Sequence, residues 1–273
     1  FVWFAMKCWI VWKGNMKKFS KIFQLILFYL GVIIIWQLVY YAGAELFGWW
    51  KAYAFPNPYG VYKSCVRMIE QRTLIIAIVY SVRRAFIGYG ISLLAGFIVG
   101  YGMSKHSFFK NNLKSLLLGI QALPSICWVP FAILLFGLDD SAILFVIVIG
   151  TTSSIAISVM SAFSLVNPIY IKVAKTMGVS NSKLYYKVII PASVPMLIAG
   201  LRQGWSFAWR ALMAGEVISA TVGLGQALTM GRDLADINRV TFLMIVIVII
   251  GTLIDTCFFS AVEKRVKKRR GLL

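Results

Sequence analysis

Acidic residues are scarce in this chain: nine Asp and Glu stand against 28 Lys and Arg, a formal net charge of +19. Histidine is scarcer still, and His106 sits alone in a Lys-flanked turn, where it reads as solvated rather than ligating. The four cysteines, Cys8, Cys65, Cys127 and Cys257, lie far apart with no CxxC spacing, so no metal or redox framework is signalled. No nucleophile–base pair emerges, and with so few carboxylates an enzyme site has little to be built from. A Walker A sequence is also missing, so the chain cannot hydrolyse ATP on its own account. The excess of positive charge is not a nucleic-acid footprint, because the basic residues fall between apolar runs and at the tail and not in one patch.

What the chain has in quantity is apolar residue. It is 60% hydrophobic with a mean hydropathy of +0.83, against about 45–50% apolar for soluble domains. That composition predicts an all-α, polytopic membrane protein. Runs of about 20 residues, the length needed to cross the hydrocarbon core, fall near 22–43, 85–103, 115–137, 141–163, 196–218 and 240–261. Six transmembrane helices are therefore expected. Met16-Lys17-Lys18 ahead of the first run resembles a natural start, so residues 1–15 read as either an upstream extension or a mis-called start, and 16–43 as the first span. Residues 44–80 form an external loop, and 81–273 the core of the protein, with a long water-facing loop near 164–195.

Basic residues cluster at the N-terminus, in the 104–114 turn (Lys105, Lys110, Lys114), in the 164–195 loop (Lys172, Lys175, Lys183, Lys187) and in the tail from Lys264 to Arg270. All four clusters fall on one side of a six-span topology, and by the positive-inside rule that side is the cytoplasm, with both termini inside. The 138–140 turn carries Asp139 and Asp140 and no base, as an external turn should. In the 44–80 loop, Trp49, Trp50, Tyr53 and Phe55 fit an interfacial belt, and Pro56-Asn57-Pro58 breaks any helix continuing from the first span. Residues 59–80 then read as amphipathic, either a helix lying on the membrane surface or a contact for an external partner.

Several motifs sit inside the spans. Gly96/Gly100 and Gly200/Gly204 are small residues four apart, which allow close helix packing in lipid. Thr151, Ser154, Ser158 and Ser161 fall on one helical face, which serves either packing or a wetted translocation path. The fifth run is the most polar, with Arg202, Arg210 and Glu216. Arg210 and Glu216 are six apart and do not share a face, so each is expected to meet a partner on another helix or to line a path. Gly223-Leu224-Gly225 breaks the helix at the external face, as a re-entrant turn or gate or as an ordinary connector.

The 164–195 loop contains Lys172-Val173-Ala174, then Gly178 and, nine residues on, Val188, Ile190 and Pro191. This spacing resembles the EAA loop of binding-protein-dependent ABC-importer permeases. The order of Leu123-Pro124, Trp128-Val129-Pro130, Leu135-Phe136-Gly137, Gly200-Leu201-Arg202, Gly215-Glu216 and Gly223-Leu224-Gly225 resembles the nitrate/sulfonate/taurine branch of that family. Lys172, Val173 and Ala174 stand at the Glu-Ala-Ala positions, and Lys172 reverses the charge common there. The resemblance implies a transport subunit of the bacterial inner membrane that binds no cofactor itself. ATP and Mg would be held by separate ABC ATPase subunits docked on the loop. An extracytoplasmic substrate-binding protein would deliver a small solute, such as a sulfonate, taurine or nitrate, to a permease homodimer in the lipid bilayer. Gly200, Gly204 and the hydroxyl face are then candidates for lining or packing the dimer axis. The competing reading is a self-sufficient secondary transporter or channel, for which repeat-related broken helices and midplane carboxylates would be expected.

Overall fold

The computed structural model describes residues 23–51 and 53–269, and among these every regular element is helical. The supposed extension over 1–15, the start of the first span and the last four residues lie outside the described residues. Among the described residues, four helices are long and apolar enough to cross a membrane. These are α1 (Phe23–Leu46), α3 (Thr73–Lys105), α6 (Asp140–Ser164) and a continuous helix Ile237–Arg269, within which α11 (Ile237–Ile254) and α12 (Ala261–Arg269) are joined by a π-helical turn. Only 6% of the apolar window of α1 is buried, a surface suited to hydrocarbon and not to water.

Three expectations need correction. The run at 115–137 is not one straight helix. α4 (Ser107–Ala122) and α5 (Trp128–Phe136) meet at an 87° bend. Leu123, the residue before Pro124, is forced into the extended region (φ −69°, ψ 126°) and ends α4 there. Counted as one broken span, the pair brings the apolar crossings to five. Second, the amphipathic segment ends early. α2 spans Pro58–Glu70, and Arg72 in the left-handed region (φ 57°) turns the chain before α3. Third, α3 begins at Thr73, ahead of the predicted span at 85, so Ser81-Val82-Arg83-Arg84 continue a helix begun earlier in the chain. The run at 196–218 lies within α9 (Ile190–Ile218), 29 residues long, whose Arg202, Arg210 and Glu216 set it apart from the four apolar helices.

The chain divides into two compact units. The smaller ends at Arg67 and also takes in Ala235–Phe242. There the Pro-Asn-Pro turn builds the start of α2: Asn57 Oδ1 accepts from the Gly60 backbone N–H, and Pro58 occupies the first helical position, where no N–H is needed. Asn238 Oδ1 accepts from the Asn57 N–H at 3.1 Å, and Trp36 Nε1 donates to the Pro56 carbonyl at 2.9 Å. Trp50 lies against Gly43 and stacks on Phe55.

The larger unit comprises Met68–Leu234 and the chain from Leu243 onward, and it is organised around α6. Ile143, Val146, Ile147, Ile155 and Ala156 of α6 are at most 1% exposed. α3 presents Gly88, Ser92, Gly96 and Gly100 at four-residue intervals, one ridge of small residues. Gly88 faces Ile147, Gly96 faces Ile155, and Gly100 lies on Ala156 and Val159. From the opposite side α9 presents Gly200 to Ser158, Gly204 to Ile155 and Gly215 to Ile143. A Cβ added at Gly96 or at Gly204 would come within 2.7 Å of Ile155, so this one side chain is held between two helices. Helices in lipid gain by such close approach because hydrophobicity supplies no attraction between them.

Candidate functional site

Two polar regions stand out in the larger unit, one at each end of α9, with Arg202 and Arg210 between them. Before α9, Asn167 caps α7 (Pro168–Thr176) by accepting from the Ile169 N–H at 3.0 Å. α7 ends in a Schellman motif, with Gly178 N–H donating to the Lys175 carbonyl at 3.0 Å and Val179 N–H to the Ala174 carbonyl at 3.1 Å. The motif needs a left-handed residue, and Gly178 has φ +73°. α8 (Asn181–Leu184) follows, then a π-helical turn over Tyr185–Ile189 in which the Ile190 N–H reaches back to the Tyr185 carbonyl. Pro191 comes next and donates no hydrogen bond, so the widened turn sits where α-helical bonding would fail.

The α7–α8 hairpin is exposed and apolar at its tip. Ile169, Tyr170, Val173 and Met177 are 51–76% exposed and, with Val188 and Ala192, line a groove of about 800 Å³. Lys172 and Gly178 are exposed, Ala174 is buried, and Val188, Ile190 and Pro191 are half-buried at the root. Of the sequence-predicted loop residues, Lys172, Val173, Ala174 and Gly178 thus fall on the hairpin, Val188 on the turn that leads into α9, and Ile190 and Pro191 at the start of α9.

At the other end of α9, Glu216 is fully buried. Its carboxylate accepts from Ser81 Oγ at 2.7 and 2.8 Å, from Arg84 Nη1 at 2.9 Å and from the Gly225 N–H at 3.0 Å. Ser81 Oγ also accepts from the Leu224 N–H at 2.8 Å. α10 (Leu224–Asp233) therefore starts with its first N–H groups on Ser81 and Glu216, a favourable end for negative charge. Arg84 goes on to Asp140 (2.6 Å) and to the Val222 carbonyl (2.7 Å). Gly223 and Gly225 are needed for contact, since a Cβ on either would lie 2.5 Å from an atom of Glu216. Gly-Leu-Gly is accordingly a clasp closed over a buried carboxylate. Glu216 was legible in the sequence as a charge needing a partner, but Ser81, Arg84 and Asp140 were not assigned to it. The available signal was scarcity: nine carboxylates leave a buried arginine few choices.

The hydroxyl face divides. Thr151 and Ser154 are buried, Ser158 lies under Gly200 where α9 meets α6, and Ser161 is half-buried. Arg202 pairs bidentately with Asp255 (2.6 and 2.7 Å) and reaches Glu263 at 3.2 Å, which Lys267 also binds. Arg210 differs. Its Nε donates to the Ser206 carbonyl at 3.1 Å, its guanidinium lies 4.7 Å from the Phe207 ring centre, and no carboxylate among the described residues pairs with it. It is exposed eight residues, about 12 Å, from the end of α9. An arginine facing hydrocarbon at a helix centre costs about 2.5–3.5 kcal/mol by insertion scales.

Residues 92–269 match the family described as "Binding-protein-dependent transport system inner membrane component". The putative aliphatic sulfonates transport permease protein SsuC of Escherichia coli is 26% identical over 82% of this chain and 84% of its own length. The nitrate import permease protein NrtB of Synechocystis is 25% identical over 66% of each. Among solved structures, a chain of the MetNI methionine ABC transporter in inward-facing conformations aligns with a TM-score of 0.62 at 17% identity, covering 71% of this chain and 96% of that one. The fold is shared.

Proposed function

The chain belongs to the family of binding-protein-dependent transport system inner membrane components, and we propose that it moves a small anion, of the sulfonate or nitrate kind, into the cell. As a member it is a multi-pass transport subunit of an ABC importer and not an enzyme; ATP is hydrolysed on a separate subunit. Our reading is a bacterial inner-membrane protein with six crossings: the four apolar helices, the bent α4–α5 pair, and α9, whose charges are largely met by protein partners. Both termini lie in the cytoplasm, two copies flank the solute path, and an extracytoplasmic binding protein supplies the cargo. Taurine falls in the same chemical class as the sulfonates.

The observation that carries the reading is the α7–α8 hairpin. A rigid, glycine-turned knob with an exposed apolar groove suits a cleft in a soluble ATPase, and it joins α9 directly through the π turn. Closure of the ATPase dimer would then push on α9 as a lever. The anion assignment rests on the relatives and on Arg210.

The decisive experiment is affinity purification of the tagged chain from native membranes with mass spectrometry of its companions. An ATPase and a secreted binding protein are expected, and the binding protein is then screened against alkanesulfonates, taurine and nitrate. Recovery of the chain alone, under conditions that hold a known importer together, would overturn the reading. Gly178→Asp is expected to abolish coupled uptake while the protein remains in the membrane.

A further inference from the structure

α9 has two unlike faces. One carries Gly200, Gly204, Ala208, Ala211 and Gly215, all buried. The other carries Gln203, Ser206 and Arg210, spaced three and four apart and all exposed. In a helix that crosses a bilayer, a stripe of amide, hydroxyl and guanidinium cannot face lipid without loss, and polar side chains there line wetted cavities. Snorkelling of Arg210 to the outer interface would leave Gln203, two turns further in, without an explanation.

Two cavities meet at Arg210. One, of about 510 Å³, is lined by Trp205, Ser206, Trp209, Arg210, Thr252 and Asp255 among others. Asp255 is already neutralised by its bidentate pair with Arg202. Trp205 is 1% exposed and forms the inner wall, stacked on Trp209 and Phe259. The other cavity, of about 380 Å³, lies at the break in the α4–α5 span and includes Gln121, Pro124, Ser125, Phe207 and Arg210. Arg210 thus stands between a cavity walled by Trp205 and Trp209 and a mainly apolar cavity at a broken helix, and it is the cationic side chain common to both.

We infer that Arg210 is the anion-selecting residue of the solute path, offering its terminal nitrogens to the oxoanion group of the passing solute. The inference rests on the importer reading above and names the chemistry that reading leaves open. A guanidinium is a planar fork whose geometry matches two oxygens of a sulfonate or nitrate. The Phe207 ring and the Ser206 carbonyl hold the fork while leaving its terminal nitrogens free of carboxylates. A single fork on an open face attracts an anion without trapping it, which conduction through a path requires.

The test needs no knowledge of the cargo. In a background with Cys8, Cys65, Cys127 and Cys257 replaced by serine, Ser206→Cys is treated with two thiosulfonate reagents of similar size. One carries a sulfonate and the other a quaternary ammonium. Rates are measured in the purified permease–ATPase complex, nucleotide-free and ATP-bound, and corrected for intrinsic thiol reactivity. The anionic reagent is expected to react faster, and adding Arg210→Gln is expected to lower the anion-to-cation ratio by about tenfold, with Arg210→Lys in between. An unchanged ratio would overturn the inference, as would a cysteine unreactive to both reagents in both states. Retention of the ATPase by the Arg210→Gln complex shows that the variant folds. Absence of any ATPase from the unmutated permease would instead sink the importer reading, so the two failures are distinct.

Discussion

Glu216 is a carboxylate with no exposed surface, and three donor groups hold it: Ser81, Arg84 and the Gly225 N–H. Removing one partner of a buried pair strands the other charge, at a cost of about 3–5 kcal/mol. Glu216→Ala and Arg84→Ala should each lower stability in detergent by that order. The double variant should lose much less than their sum, as equilibrium unfolding of the cycle would reveal; strict additivity would mean that the two residues do not act as a pair. Gly178 makes the opposite kind of demand, on conformation alone. A Cβ there would touch nothing within 4 Å, yet φ is +73°, so Gly178→Ala should cost about 1–2 kcal/mol, read as faster hydrogen exchange in the α7–α8 turn. Both residues were conspicuous in the sequence. The partners of Glu216 were not, because Arg84 lies 132 positions away and local periodicity carries no information at that range.

At the scale of elements, the small-residue ridges of α3 and α9 were visible as Gly96/Gly100 and Gly200/Gly204, but the helix they close upon was not. Spacing gives a face; only the fold shows that both faces meet α6. The same limit explains the misplaced start of α3. The charges of Arg83 and Arg84 interrupt the hydropathy ahead of residue 85, whereas Arg84 turns inward and is 4% exposed. The bend in the α4–α5 span, by contrast, was written in Leu123-Pro124 and was overlooked because hydropathy is blind to backbone geometry. Gly204→Leu should drive α9 off α6 and cost about 1–3 kcal/mol through overpacking. Gly90→Ala, at an α3 position with nothing within 4 Å, should be neutral or stabilising by up to about 1 kcal/mol. Thermal unfolding of the two variants side by side is the check, and equal losses would contradict the assigned packing.

For the whole molecule, the basic clusters make a prediction about direction. With Lys and Arg concentrated at the tail and in the 164–195 loop, the positive-inside rule sends both to the cytoplasm. A green fluorescent protein fused after Leu273 should therefore fluoresce in cells, while alkaline phosphatase at the same point should be inactive; the reverse pattern would invert the proposed topology. Composition alone identified a membrane protein, and motif order identified its family. The cargo was not legible, because selection among small anions depends on a few side chains whose partners are three-dimensional facts. Ile155 offers a last consequence of the way α6 is held. With Gly96 on one side and Gly204 on the other, none of the three positions is free to vary alone. Among related sequences their substitutions should be inherited together: a smaller residue at 155 permits an alanine or serine at 96 or 204, and a larger one appears only where both partners stay glycine.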